Sequence, residues 1–192
     1  MAGMKGVEWT FDTVIGGGNI SIRRAVPGDE RVLSYIQTES WKAAFADILS
    51  PEELVRCTDP EKAEQMYCSV LRREGCNMAI EFVEGQPHCI AAWGKTRCGL
   101  GDSVGELICI HSLQRNWGKG YGSAMMEYAL AQLQQEKYDS VILWVFEDNI
   151  RARKFYEKHG FERTKQKKLA NGIAEEMYLK HLSAEEILCT RA

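Results

Sequence analysis

The sequence predicts one α/β domain, α+β in arrangement, built as a mixed, mostly antiparallel sheet flanked by helices. Three observations carry that reading. Residues 29–73 show helix-starting signals, residues 78–113 read as extended segments, and residues 104–160 run strand, glycine-rich loop, helix, strand, helix. The 192 residues suit one domain, since a chain of this order buries roughly 70 % of its unfolded surface and two full domains would be cramped.

Each element follows from local signals. Residues 19–25 alternate Ile20 and Ile22 with polar neighbours, the period of a strand. Pro27-Gly28-Asp29 stops it, and Asp29 stands where a helix running towards residue 46 needs its N-cap. Ser50-Pro51-Glu52-Glu53 opens the next helix as a capping box, with Ser50 as N-cap, Pro51 in the first turn and Glu53 three residues on. Asp59-Pro60 interrupts the pattern and a further helix follows to residue 73. After Gly75 the texture turns extended: residues 78–84 and 89–96 read as a hairpin across Gly85-Gln86-Pro87, and residues 104–113 as a third strand. A helix over 121–137 carries Met126, Ala129, Leu130 and Leu133 on one face, the stripe of a helix packed on a sheet. Residues 141–146 form a nearly unbroken apolar run, which suits a strand buried on both faces. Residues 149–159 make a second helix stopped by Gly160, and residues 161–167 and 175–182 a closing hairpin about Asn171-Gly172. Gly16-Gly17-Gly18 sets off an N-terminal piece that is either an added strand or a loose arm. The chain thus divides into an arm or extra strand (1–18), a domain (19–182) and a tail (183–192).

Composition narrows the function classes. Hydrophobic residues are 45 % and charged residues 27 %, so there is enough apolar surface to offset chain entropy, and disorder is not expected. With 24 Lys+Arg against 27 Asp+Glu the net charge is −3, which argues against a nucleic-acid partner held by bulk charge. No stretch approaches the ~18 apolar residues that span a membrane, and the N-terminus lacks the apolar core of a signal peptide. The seven cysteines, an odd set with no Cys-x-x-Cys spacing, read as reduced thiols of a cytoplasmic protein and give no reason to expect a metal.

The informative stretch is Leu113-Gln114-Arg115-Asn116-Trp117-Gly118-Lys119-Gly120-Tyr121-Gly122-Ser123, between a strand and a helix. Glycines at alternate positions expose backbone N–H groups, and the helix start adds its own unpaired N–H groups and positive dipole end; a phosphate or pyrophosphate is the natural ligand. A glycine turn that only allows close packing is the plainer alternative. A Walker loop fails because Gly120 follows Lys119, and the run is Gly-x-Gly-x-Gly rather than the Gly-x-Gly-x-x-Gly of a dinucleotide fold. Glu147 stands about where a ribose-binding acid would sit, but few residues remain downstream for further parallel strands.

A second signature, Asn149-Ile150-Arg151-Ala152-Arg153-Lys154-Phe155-Tyr156-Glu157-Lys158-His159-Gly160-Phe161, gives the pair of motifs a family likeness. The chain resembles the GNAT superfamily of N-acetyltransferases, which carry an Arg/Gln-x-x-Gly-x-Gly/Ala loop and later an Asn-x-x-Ala-x-x-Phe-Tyr-x-x-x-Gly-Phe segment. The likeness spans roughly residues 19–182, and Ser40-Trp41-Lys42-Ala43-Ala44-Phe45 resembles small bacterial members. Two loop registers fit. Arg115 begins the literal match, whereas a helix beginning at Gly120-Tyr121-Gly122 puts Trp117 in its place.

The resemblance implies that acetyl-CoA, or another short acyl-CoA, is the donor. It implies parallel central strands, 104–113 and 141–146, that splay at their C-terminal ends, with pantetheine on the free edge of the first strand at Ile108, Ile110 and Ser112. It implies a pyrophosphate cradle over Gly118, Lys119, Gly120, Tyr121, Gly122 and Ser123, flanked by Arg115 or Trp117, with Asn149 on the pantetheine or adenylate side. The basic run between Asp148 and Lys168 either helps hold phosphates or is a solvated face. Homodimers are common in the family.

Acetyl transfer to an amine needs a neutral nitrogen, although an alkyl ammonium has a pKa near ~10. A carboxylate can take that proton. Glu106 is placed where family members with a glutamate base carry it, and strand alternation groups it with Ile108, Ile110 and Ser112, leaving Cys109 and His111 on the other face as packed groups. A salt-bridged strand glutamate is the alternative. Tyr156 is the corresponding proton donor to the leaving thiolate, or else an aromatic anchor like Phe155. Trp41 and Phe45, at i and i+4, form an apolar wall for the acceptor or part of the core. The acids Glu52, Glu53, Asp59, Glu61 and Glu64 would favour a cationic amine. The expected function is therefore N-acetyltransfer to a small-molecule or peptide amine. A non-catalytic acyl-CoA-binding regulatory module and a dinucleotide-binding oxidoreductase are the other classes.

Overall fold

Capping chemistry sets the helices where the sequence puts them. In the computed structural model, which describes residues 11–15, 18–73, 77–170 and 172–182, α1 spans Glu30–Ala44, α2 Pro51–Cys57 and α3 Pro60–Val70. The Ser50 hydroxyl accepts from the Glu53 N–H, and the Glu53 carboxylate accepts from the Ser50 N–H, completing the capping box. Asp59 caps α3 through the N–H groups of Glu61 and Lys62. At α1, Asp29 makes no side-chain cap; its carboxylate instead takes the Arg23 guanidinium at 2.7 and 2.8 Å and the Val26 N–H at 2.9 Å, tying the strand exit to the helix start.

The strands are β1 Phe11–Ile15, β2 Gly18–Arg24, β3 Asn77–Val83, β4 Gln86–Lys95, β5 Val104–Ser112, β6 Ser140–Phe146, β7 Glu162–Ala170 and β8 Ile173–His181. They form one sheet in the order β1-β2-β3-β4-β5-β6-β8-β7. Every neighbouring pair is antiparallel except β5 and β6. One parallel pair cannot make the doubly wound parallel sheet of a dinucleotide fold, so the oxidoreductase expectation loses its scaffold. The β3–β4 turn is tighter than expected. Glu84 and Gly85 both take positive φ, and Gln86 and Pro87 already belong to β4. Of the N-terminal piece, residues 1–10 and the hinge glycines Gly16 and Gly17 lie outside the described residues, while β1 pairs with β2.

Two cores sandwich the sheet. On one face α4 (Tyr121–Gln135) and α5 (Ile150–Lys158) cover Ala91, Trp93, Leu107, Val141 and Leu143; the stripe residues Met126, Ala129 and Leu133 are fully buried there. On the other, Leu33 and Ile36 of α1 and Tyr67 of α3 cover Ile80, Ile90 and Ala92. The unbroken apolar run of β6 has its physical reason here. Val141, Leu143 and Val145 enter the α4-side core, while on the other face Ile142 is buried and Trp144 and Phe146 are half-buried.

One sequence expectation fails at β5. The β4–β5 register shifts where Ala92↔Cys109 is followed by Trp93↔Leu107, so Ile108 is an extra residue on β5. This β-bulge breaks the alternation. Ile110 and Ser112 pair with Ala91 and Cys89 and share their α4-side face, whereas Glu106 pairs with Gly94 and shares the α1-side face of Cys109 and His111. Glu106 therefore does not share a face with Ile110 and Ser112, and His111 is on its side of the sheet.

Candidate active site

β5 and β6 are joined by only three rungs, Val104↔Ser140, Gly105↔Val141 and Glu106↔Ile142. Beyond Glu106 the ladder stops, so β5 from Leu107 to Ser112 has β4 on one side and no strand on the other. A cavity of ≈ 230 Å³ fills this parting. Its lining comes from the parted strands, the C-terminal half of α1 and the first two turns of α5.

Of the glycine stretch, Gly122 lines the cavity, while Trp117, Gly118, Lys119, Gly120, Tyr121 and Ser123 lie outside its lining. A short 3-10 turn, Gln114–Asn116, leads to Trp117, and Gly120 (φ 90°) opens α4 with no side-chain cap. The first N–H groups of an α-helix have no acceptor within it. Gly118 and Gly120 both need positive φ, a region that L side chains avoid; Gly122 is an ordinary helical residue whose missing Cβ would only touch the Phe155 ring at 3.6 Å. α4 starts at Tyr121, the later of the two loop registers, in which Trp117 stands at the position that Arg115 holds in the literal match. Its indole N–H donates to the Ser112 carbonyl and hydroxyl oxygens at 3.0 and 3.1 Å, and the Arg151 guanidinium lies 3.4 Å from its ring centroid. Arg115 instead borders a separate shallow depression with Glu39 and Lys42, and the Lys119 ammonium donates to the Asn116 side chain.

Ile108, Ile110, Ser112, Gly122 and Asn149 all line the cavity, as do Tyr156, Trp41 and Phe45. Asn149 Oδ1 accepts from the Ala152 N–H and caps α5. Tyr156 is 8 % exposed, and burial raises its pKa, keeping the phenol protonated. Glu106 is not among the lining residues. It is 1 % exposed, at the last rung before the strands part, and its carboxylate accepts from the Arg97 N–H at 2.9 Å, from Nε at 3.2 Å and from Nη2 at 2.5 Å. Burial alone would push this carboxyl up, but the hydrogen bonds and charge of Arg97 outweigh it and hold the pKa below the ordinary range.

Arg151, Trp144, Phe146 and Glu175 also line the cavity and were not singled out from the sequence. Trp144 and Phe146 were hidden within an apolar run, and Arg151 within the basic run. The structure divides that run. Arg163, Lys167 and Arg153 surround the buried Glu176, and Lys168 pairs with Glu175, so these charges are engaged in ion pairs within the chain. No helix among the described residues is long and apolar enough to cross a membrane.

The model of the acetyltransferase (GNAT) family matches residues 38–161. The chain is 28 % identical over 144 residues to a probable N-acetyltransferase of Mycobacterium tuberculosis, covering 74 % of this chain and 80 % of that one. A shorter stretch of 58 residues is 41 % identical to a mycothiol acetyltransferase of Frankia casuarinae, covering 30 % of this chain and 17 % of that one. Among solved structures, a PaiA N-acetyltransferase of Thermoplasma acidophilum in complex with coenzyme A superposes with a TM-score of 0.73 at 17 % identity. The match covers 85 % of this chain and 99 % of that one, and it shows a shared fold.

Proposed function

The chain belongs to the GNAT acetyltransferase family, and on that premise we propose that it moves an acetyl group from acetyl-CoA to a primary amine of a small molecule or peptide by direct transfer in a ternary complex. The observation that carries this reading is the parting of β5 and β6 beside the uncapped start of α4. A free strand edge accepts an extended amide chain as an added strand, and an uncapped helix start accepts an anion. One cavity borders both the free edge of β5 and the aromatic residues Trp41 and Phe45, which supports direct transfer; Cys109 and His111, expected on the far face, line it too. In this reading residues 19–182 are the transferase domain, with 1–18 and 183–192 as its extensions.

Acetyl-CoA supplies an activated thioester. The chain's own residues hold and orient it: the backbone of Ile108, Ile110 and Ser112 along the pantetheine arm, and the N–H groups of residues 118–123 at the pyrophosphate. Trp117, bonded to Ser112 and stacked with Arg151, borders the far end of the free β5 edge, and Asn149 Nδ2 is available as a donor because Oδ1 caps α5. Tyr156 donates a hydrogen bond to the departing sulfur. Its raised pKa lies above the ~8.5 of an ordinary thiol, so it stabilises the thiolate without ending as a tyrosinate. Glu106, kept ionised by Arg97, stands behind the cavity wall and takes the amine proton through water.

CoA release from acetyl-CoA, measured across polyamines, aminoglycosides, amino acids and peptide N-termini, tests the reading. The thiol count of the protein's seven cysteines is subtracted. Release that depends on an amine is expected. Tight acetyl-CoA binding with no release for any amine would instead identify a binding module.

A further inference from the structure

The α1 side of the cavity has a surface of one kind. Phe45 meets Phe146 edge-on with centroids 5.1 Å apart, and Trp41 meets Phe45 at 4.9 Å. Trp144 continues the wall along β6. All four rings are only partly buried and line the cavity. His111 extends the row, 6.1 Å from Trp41, and its Nε2 accepts the Trp41 indole N–H at 3.4 Å. Burial pushes the His111 pKa down to about 4, so this group is neutral at physiological pH.

Charge is scarce in the same space. Among the described residues lining the cavity, the ionic ones are Arg151, stacked on Trp117 at the donor side, and Glu175. Glu175 is already paired with Lys168 at 3.2 Å, and the Lys168 ammonium lies 4.1 Å from the Trp144 ring centroid. The acids of α2 and α3, which by sequence suggested an attraction for cations, do not line the cavity; Glu53 and Asp59 cap helices.

Resting on the transferase reading, we propose that the acceptor is a monoamine with an aromatic or other apolar body, seated against Trp41, Phe45, Trp144 and Phe146. Such a molecule gives up area to the rings and brings only the nitrogen that reacts. A cationic nitrogen is tolerated beside aromatic faces until it loses its proton. A polyamine or aminoglycoside must also bury further ammonium groups, and the wall offers them no unpaired carboxylate. Selectivity is set by what the wall leaves unpaired as much as by what it contacts.

The test is steady-state CoA release at fixed acetyl-CoA with 2-phenylethylamine, cyclohexylmethylamine and spermidine, for the wild type, Phe146→Leu and Phe146→Ala. For the wild type, kcat/KM is expected to be at least about tenfold higher for the two apolar amines than for spermidine. Phe146→Ala is expected to raise KM for 2-phenylethylamine about tenfold, with acetyl-CoA affinity by calorimetry unchanged and Phe146→Leu intermediate. Spermidine equal to or better than the apolar amines overturns the acceptor class and leaves the transferase reading intact. Equal KM for 2-phenylethylamine in all three proteins removes the aromatic wall from acceptor binding. No release with any amine, despite acetyl-CoA binding, is the separate failure of the transferase reading.

Discussion

Glu106 concentrates the mechanistic question in one side chain. Its carboxylate is held by three donors of Arg97, so it is an anion throughout the working pH range, and protonation would matter only below the ordinary carboxylate range. The alkaline rise in rate therefore reports the acceptor's own ammonium, with its pKa near ~10, and not Glu106. Glu106→Gln keeps the shape while removing the charge and part of the Arg97 contact, because both carboxylate oxygens accept from Arg97 and the amide nitrogen cannot. It is expected to lower kcat by about 10²-fold near pH 7, with the deficit shrinking as the pH nears that of the free amine. A pH–rate profile superimposed on the wild type would make Glu106 a strut for the Arg97 loop. Tyr156→Phe is the companion test. Loss of the hydrogen bond to the leaving sulfur should slow the chemical step with donor affinity preserved, and full activity would leave Tyr156 only its packing against Phe155 and Phe161.

At the scale of elements, three glycines that look alike in the sequence differ in what they do. Gly118 and Gly120 hold left-handed backbone, where a side chain costs about 1–2 kcal/mol, while Gly122 sits in α4 with ordinary room for a methyl group. Gly120→Ala is expected to weaken acetyl-CoA binding, read by calorimetry, by tenfold or more. Gly122→Ala should change it little; equal losses in both would mean that backbone strain is not what shapes the cradle. The order of elements was legible because capping residues, apolar periods and glycine stops are local. Ser50, Asp59 and Asn149 each cap the helix that their sequence neighbours announce. The bulge at Ile108 was not legible, since it exists only in the pairing of β5 with β4 and leaves no mark on either strand alone. For the same reason the faces of Glu106 and His111 came out wrongly grouped. Phe146 and Glu175 joined Trp41 and Phe45 only through tertiary packing, across more than a hundred residues of chain.

Across the whole molecule, the sheet's α4-side core contains an acid that fixes how stability depends on pH. Glu81 on β3 is fully buried, and neither carboxyl oxygen has a hydrogen-bond partner. Burial pushes its pKa from 4.5 up to about 8. Between those values the folded chain keeps a proton that the unfolded chain has lost, so stability falls as the pH rises through this window. Glu81→Gln removes that dependence. Its gain in Tm, followed by circular dichroism, is expected to be larger at pH 8 than at pH 5; the same shift at both would show that Glu81 ionises freely in the fold. The parting of β5 from β6 has a consequence of another kind. Two strand edges, which most sheets conceal by pairing, here face each other across an open cavity. On the proposed reading the pantetheine arm would lie along that free edge as a removable ninth strand, so saturating acetyl-CoA is expected to raise Tm as well as turnover; an unchanged Tm would place the donor elsewhere.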